Sequence, residues 1–368
     1  MLPALRTDEL SLADVMPSCL AALRGEGNAL GLSEVRAAIV LLVDGLGALA
    51  LRERAGHART LSASGESMDS GFPTTTASAL ATLTTGSRAG QHGLVGYSVL
   101  DAENDRLINQ LSGWEGLDPH VWQGMPTAFE KAVDAGLRAS AIMPTRYHDS
   151  PFTHAVLRGA AYVAGVTIAD RLAAAAALVA TPGAPQLIYV YVYELDKAGH
   201  AYGWESEQWM TALEDLDAAV RDFTLPRDVG LIVTADHGMV DVAAHNQVVF
   251  DAVPELMAGV EHVGGEPRCL QLYFGADADR AATITAWHES EDSRSWVVTR
   301  QEAIAAGWFG DVRPEVEGRI GDLIVAARKQ IAYYQSTSSP RSMAMIGQHG
   351  SWSAAEVRVP LLRFGAFG

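Results

Sequence analysis

The sequence predicts an α/β protein with a mostly parallel central sheet and helices on both faces, carrying a smaller inserted α+β lobe. Three observations lead there. The runs at residues 37–43, 187–193 and 229–234 are almost continuously apolar or aromatic, as strands covered on both faces are. Stretches of helical periodicity alternate with them, which favours parallel pairing. Each run also stops at an acidic residue long before the roughly 20 residues of a membrane span.

Taken in order, the first strand ends at Asp44-Gly45. Residues 77–84 read as a helix stopped by Gly86, with Thr76 at its N-cap. Helices follow at 127–135 and 168–179, before the second strand ends at Glu194-Leu195-Asp196. A helix at 207–223 leads to the third strand, which ends at Ala235-Asp236-His237-Gly238. From 241 to 342 the pattern changes. Gly264-Gly265-Glu266-Pro267 opens a stretch with strands at 269–274 and 323–326 and helices at 277–287 and 301–306. The expected division is a core of residues 1–240 and 343–368, with a smaller α+β lobe at 241–342 inserted before it closes.

Composition narrows the partners. Of 368 residues, 48% are hydrophobic, enough for a large core. The balance of 27 basic against 44 acidic side chains gives −17, which argues against a nucleic-acid polymer or an anionic membrane. It leaves room for a small phosphoester, because a bound metal reverses the field locally. Cys19 and Cys269 form no metal or disulfide motif. The first 16 residues lack a basic segment before an apolar run, so no signal peptide is read and a cytoplasmic location is expected. Only three basic residues are lysines, a bias that suggests a GC-rich bacterial genome.

In open α/β sheets, ligands bind beyond the carboxyl ends of the strands. Asp44, Asp236 and His237 sit there. Asp196 and His200, spaced i,i+4, can be aimed at one ion by a single backbone turn, and His349 lies in Gly-Gln-His-Gly near the end of the chain. Three Asp and three His suit two zinc or manganese ions at three ligands each, and the lack of thiolates points to catalytic sites. Any one of these residues alone is as well explained by turn chemistry or a satisfied histidine. Thr76, at a helix start, sees the positive end of the dipole and can act as an activated nucleophile.

Together these motifs resemble the type I phosphodiesterase / nucleotide pyrophosphatase branch of the alkaline phosphatase superfamily. They stand as Val43-Asp44-Gly45-Leu46-Gly47, Phe72-Pro73-Thr74-Thr75-Thr76 with Thr85-Gly86, Gln91-His92-Gly93, Asp196-Lys197-Ala198-Gly199-His200, Thr234-Ala235-Asp236-His237-Gly238-Met239 and Gly347-Gln348-His349-Gly350. The resemblance implies one zinc on Asp44, Asp236 and His237, and another on Asp196, His200 and His349. Manganese or iron is an alternative at one site. It implies Thr76 as a metal-contacting nucleophile that forms a phospho-threonine intermediate. Three consecutive threonines leave Thr75 as the alternative. The family places an asparagine against a phosphoryl oxygen where this chain has Tyr97. That departure leaves diester, monoester and phosphonate substrates open. Arg146, Tyr147 and His148 read as a solvated loop that could also reach substrate. Two other classes fit part of the pattern. Gly45-x-Gly47-x-x-Ala50 fits a dinucleotide fingerprint, but Asp44 would repel a pyrophosphate. A non-catalytic metal- or ligand-binding protein on the same scaffold would not need the candidate nucleophile.

Overall fold

The computed structural model describes residues 2–4, 9–63 and 65–368. The N-terminal stretch read as lacking a leader falls partly on residues 1 and 5–8, outside the described residues. Eleven strands carry the architecture: β1 (Ala37–Val43), β2 (Ser67–Asp69), β3 (Arg138–Met143), β4 (Ala161–Ala164), β5 (Gln186–Val192), β6 (Val229–Thr234), β7 (Val260–Glu266), β8 (Cys269–Phe274), β9 (Ser295–Thr299), β10 (Leu323–Ala327) and β11 (Arg358–Gly365).

Seven of them form the central sheet in the order β2-β11-β6-β1-β5-β3-β4. The five from β6 to β4 are parallel, and β11 and β2 close one side antiparallel. Every residue of β1, β5 and β6 is buried, which is why their sequences do not alternate. Two sets of helices flank the sheet. α1 (Val15–Leu23) packs with α2 (Thr76–Thr85) and against β1. α3 (Ile168–Ala180) packs on β5 and β3, and α5 (Glu207–Asp222) joins it to α4 (Glu194–Tyr202). None of the described helices is long and apolar enough to cross a membrane.

A second, antiparallel sheet has the order β7-β8-β10-β9. Its strands alternate between two cores. Leu323 and Val325 of β10 pack with Phe250, Leu256, Leu272 and Trp287, whereas Ile324 and Ala326 pack into the main core. The period of two along a strand thus splits one sheet between a local core and the main one.

The structure differs from the sequence reading at several points. The Gly264-to-Pro267 segment is the end of β7 and its hairpin into β8, not an opening turn. The helix expected at 277–287 spans Arg280–Glu291, because Asp279 caps it by accepting from the Ala282 N–H at 3.2 Å. Thr75, not Thr76, occupies the N-cap of α2, and Thr76 is its first helical residue.

Candidate active site at the carboxyl edge of the sheet

Register brings the site together. Val43 stands opposite Val192, and Leu42 opposite Thr234, so β1, β5 and β6 end side by side. Asp44 follows β1, and its N–H donates to the Val192 carbonyl at 2.8 Å. Gly45 then turns at φ +77°; a Cβ there would lie 3.0 Å from the Asp196 Cα. β5 runs almost directly into α4, whose one turn presents Asp196 and His200 together. Asp236 and His237 follow β6. His349 arrives because Gly347–Gln348 pairs antiparallel with Val240–Asp241.

Thus the six side chains singled out in the sequence converge. His237 Nε2 lies 3.4 Å from Asp44 Oδ1, 3.4 Å from Asp236 Oδ2 and 3.3 Å from Thr76 Oγ1. His200 Nε2 lies 3.2 Å from Asp196 Oδ1 and 3.3 Å from His349 Nε2. The His237 and His349 rings stack at 3.6 Å between centroids. Two sets, Asp44/Asp236/His237 and Asp196/His237/His349, each offer ligand atoms within 4.8 Å of one another. His237 is common to both, and His200 adjoins the second.

The histidines are oriented alike. Nδ1 of His200 donates to the Gly347 carbonyl at 2.7 Å, that of His237 to Gly238 at 3.1 Å, and that of His349 to Thr74 at 2.8 Å. That tautomer aims each Nε2 lone pair inward, as metal-ligating imidazoles require. Asp44 Oδ1, Asp196 Oδ1 and Asp236 Oδ2 are shielded from solvent and have no hydrogen-bond partner among the described residues. Acceptors therefore face acceptors, an arrangement that cations reconcile and that otherwise costs several kcal/mol per buried ion.

The titration shifts express the same crowding. Burial, then the charges of Asp236 and Asp196, push the Asp44 carboxyl well above its usual range, although Tyr191 donates a hydrogen bond to it. Burial also raises Asp236; His237 opposes this and Asp196 adds to it. At Asp196 burial acts upward too, but the neighbouring imidazoles, His200 first and then His349 and His237, outweigh it and hold the carboxyl low. Burial, then His237 and His200, drives His349 well below its ordinary value.

The two candidate threonines face different ways. Thr76 points its Oγ1 at His237, whereas the Thr75 side chain bonds to Glu266. Both border a cavity of about 460 Å³ that also reaches Asp44, Asp196, His200 and His349. Tyr97 lines this cavity and is 38% exposed, so it is not a core aromatic. Arg146 and Tyr147 line it as well. His148 turns to Asp149 at 2.9 Å and rests on Tyr162. His92 is buried against Thr82, with Nε2 3.0 Å from Oγ1, and plays a packing part.

Sequence reasoning missed Glu266. This buried carboxyl at the end of β7 lies 3.5 Å from His349 Nδ1, and burial pushes it well above the usual range. Its Gly-Gly-Glu-Pro context reads as a turn and carries no signal of the site. Tyr191 was also missed, since nothing in an apolar strand marks which tyrosine meets a carboxylate.

The family model described as type I phosphodiesterase / nucleotide pyrophosphatase matches residues 38–352. The chain belongs to this family. The matched stretch contains all six converging side chains and both threonines. The type I phosphodiesterase fold is similar to that of murine ectonucleotide pyrophosphatase / phosphodiesterase 5 (ENPP5), with TM-score 0.70 and 18% identity over 88% of this chain and 87% of that one. An inactive threonine-to-alanine form of the murine protein, in complex with AMP, matches with TM-score 0.69 and 18% identity over 89% and 88% of the two chains. The human counterpart matches with TM-score 0.68 and 17% identity over 89% and 87%.

Proposed function

We propose that this member of the family is a two-metal phosphoester hydrolase that cleaves phosphodiester and nucleotide pyrophosphate bonds through Thr76. The observation that carries the reading is the set of inward-facing acceptors around Thr76: three carboxylate oxygens without hydrogen-bond partners and three imidazole Nε2 atoms. Asp44, Asp236 and His237 would hold one ion, and Asp196, His200 and His349 the other. Zinc suits this mixed carboxylate and imidazole set, with manganese or iron able to replace it at one site. Bound there, the ions would lower the pKa of the attacking hydroxyl and neutralise charge on the attacking and leaving oxygens.

The protein's own groups do the rest. Thr76 presents Oγ1 at the start of α2, where the helix dipole favours the alkoxide and the entering phosphoryl group. Attack forms the Thr76 Oγ–P bond and breaks the bond to the leaving alcohol or phosphate, which departs with a proton. Water then cleaves the phospho-threonine and restores the hydroxyl. Carbonyls of Gly347, Gly238 and Thr74 hold the imidazoles in register. The Tyr97 phenol, in the place of the family's asparagine, would donate to a phosphoryl oxygen. The AMP complex of the murine relative supports a small nucleotide or phosphoester substrate. Residues 241–342 are read as the lobe that walls the site, through Glu266 and Pro267.

The test is substitution of both threonines. Thr76→Ala is expected to keep its bound metal and lose about 10³-fold or more of bis-p-nitrophenyl phosphate turnover. An active Thr76→Ala beside an inactive Thr75→Ala would move the nucleophile by one residue and overturn the assignment.

A further inference from the structure

Arg146 faces the cavity without an ion-pair partner among the described residues. In a chain where acidic side chains outnumber basic ones 44 to 27, a free guanidinium over a cavity needs explaining. The residue lies in the turn Thr145–Tyr147 that follows β3. Its guanidinium sits over the Tyr193 ring at 4.1 Å and the Tyr147 ring at 4.6 Å, and Nη2 donates to the Tyr147 hydroxyl at 2.9 Å. The neighbouring Arg171 also approaches Tyr193, at 5.4 Å, but is buried and paired with Glu194. Two aromatic faces therefore hold the Arg146 fork in place without neutralising it. The Tyr147 ring abuts Tyr191 at 5.8 Å, and Tyr191 bonds to Asp44. Arg146 thus stands two tyrosine rings from the carboxylate cluster, on the cavity that Thr76 borders. Lys197 of α4 adds a second cation to the same lining.

We propose that Arg146 is a specificity residue that receives a second anionic group of the substrate, a carboxylate or a phosphate borne close to the phosphorus that reacts. The inference rests on the reading of this site as a phosphoester hydrolase. The guanidinium bonds to Tyr147 and Tyr193 and, of its five N–H donors, keeps the rest for a planar anion, which it binds in bidentate fashion. Because the tyrosines pre-order the fork, little side-chain freedom is lost on binding. The anion would also be kept at a distance from the buried carboxylates.

Three matched esters test this on the metal-loaded protein: p-nitrophenyl methylphosphonate, p-nitrophenyl carboxymethylphosphonate and p-nitrophenyl phosphonomethylphosphonate. They share the scissile bond and leaving group and differ in the second anion. The parent protein is expected to prefer one or both anionic esters, and which one tells carboxylate from phosphate. Arg146→Gln should reduce that preference by about 10- to 100-fold, chiefly through KM, and Arg146→Lys should restore part of it. No preference in the parent, or an equal loss on all three esters, overturns the proposal. Turnover of bis-p-nitrophenyl phosphate with none of the three also overturns the proposal; if the parent turns over neither, the hydrolase reading fails by itself. The proposal then stands or falls on calorimetric binding of carboxymethylphosphonate and methylenebisphosphonate against methylphosphonate. Tighter binding of an anionic ligand that Arg146→Gln abolishes supports it, and equal binding overturns it.

Discussion

At the scale of single residues, the site is governed by what each polar atom faces. His200, His237 and His349 give their Nδ1 protons to backbone carbonyls, so in the neutral form their remaining nitrogens accept. His92 shows the contrasting case of a histidine used for packing. Its Nδ1 accepts from the Leu94 N–H at 3.1 Å, and burial, then the charges of Arg313 and Arg319, push its pKa down to about 3. Unfolded, it titrates near 6.5. Between these values the unfolded chain binds a proton that the folded chain refuses. Stability contributed by His92 is therefore present above pH 6.5 and is lost as pH falls towards 3, at up to about 1.4 kcal/mol per pH unit. His92→Gln should flatten the fall of the urea midpoint between pH 6.5 and pH 4 by the equivalent of one proton; unchanged slopes would count against this account. The six Asp and His residues that meet here can be picked out of the sequence, because motif spacing is a local signal. The convergence itself and the partner of Glu266 depend on contacts between distant segments, which leave no local pattern.

At the scale of elements, the three strands that carry the site were legible because they are buried on both faces. The strand β3, Arg138-Ala139-Ser140-Ala141-Ile142-Met143, was not, since small residues dilute its apolar signal. Nor was β11, where Pro360 argues against a strand; it is tolerated where that strand meets the short edge strand β2. The start of α2 slipped by one residue because Thr74, Thr75 and Thr76 are equally good caps by type. Gly45 is the element-level constraint with the sharpest consequence. Its φ of +77° and the 3.0 Å approach of a Cβ to Asp196 Cα mean that only glycine lets β1 end against α4. Gly45→Ala is expected to cost about 1–3 kcal/mol and to weaken metal binding by separating Asp44 from Asp196. A variant with the parent's thermal midpoint and metal content would contradict that.

At the scale of the whole molecule, the second sheet is tied to the site rather than appended to it. Arg268, beside β8, pairs with Glu356 through Nε at 2.7 Å and Nη2 at 2.8 Å, in full burial. Glu356 accepts in turn from the Ser351 N–H at 3.0 Å, two residues after His349. The lobe's first hairpin thus braces the segment that delivers the last histidine, while Glu266 of the same hairpin touches Thr75. None of this was legible in the sequence, where 268 and 356 share no motif and the lobe reads as a separate insertion. The shared β10, alternating between two cores, explains why a boundary drawn from composition cannot tell a lobe from a second layer of one core. The measurement that bears most directly on the whole account is metal content by elemental analysis, on the preparation assayed for bis-p-nitrophenyl phosphate turnover. The account predicts about two ions per chain, turnover lost on chelation and its return with added zinc. Turnover that survives removal of metal, or a protein that takes up no metal on reconstitution, would contradict it.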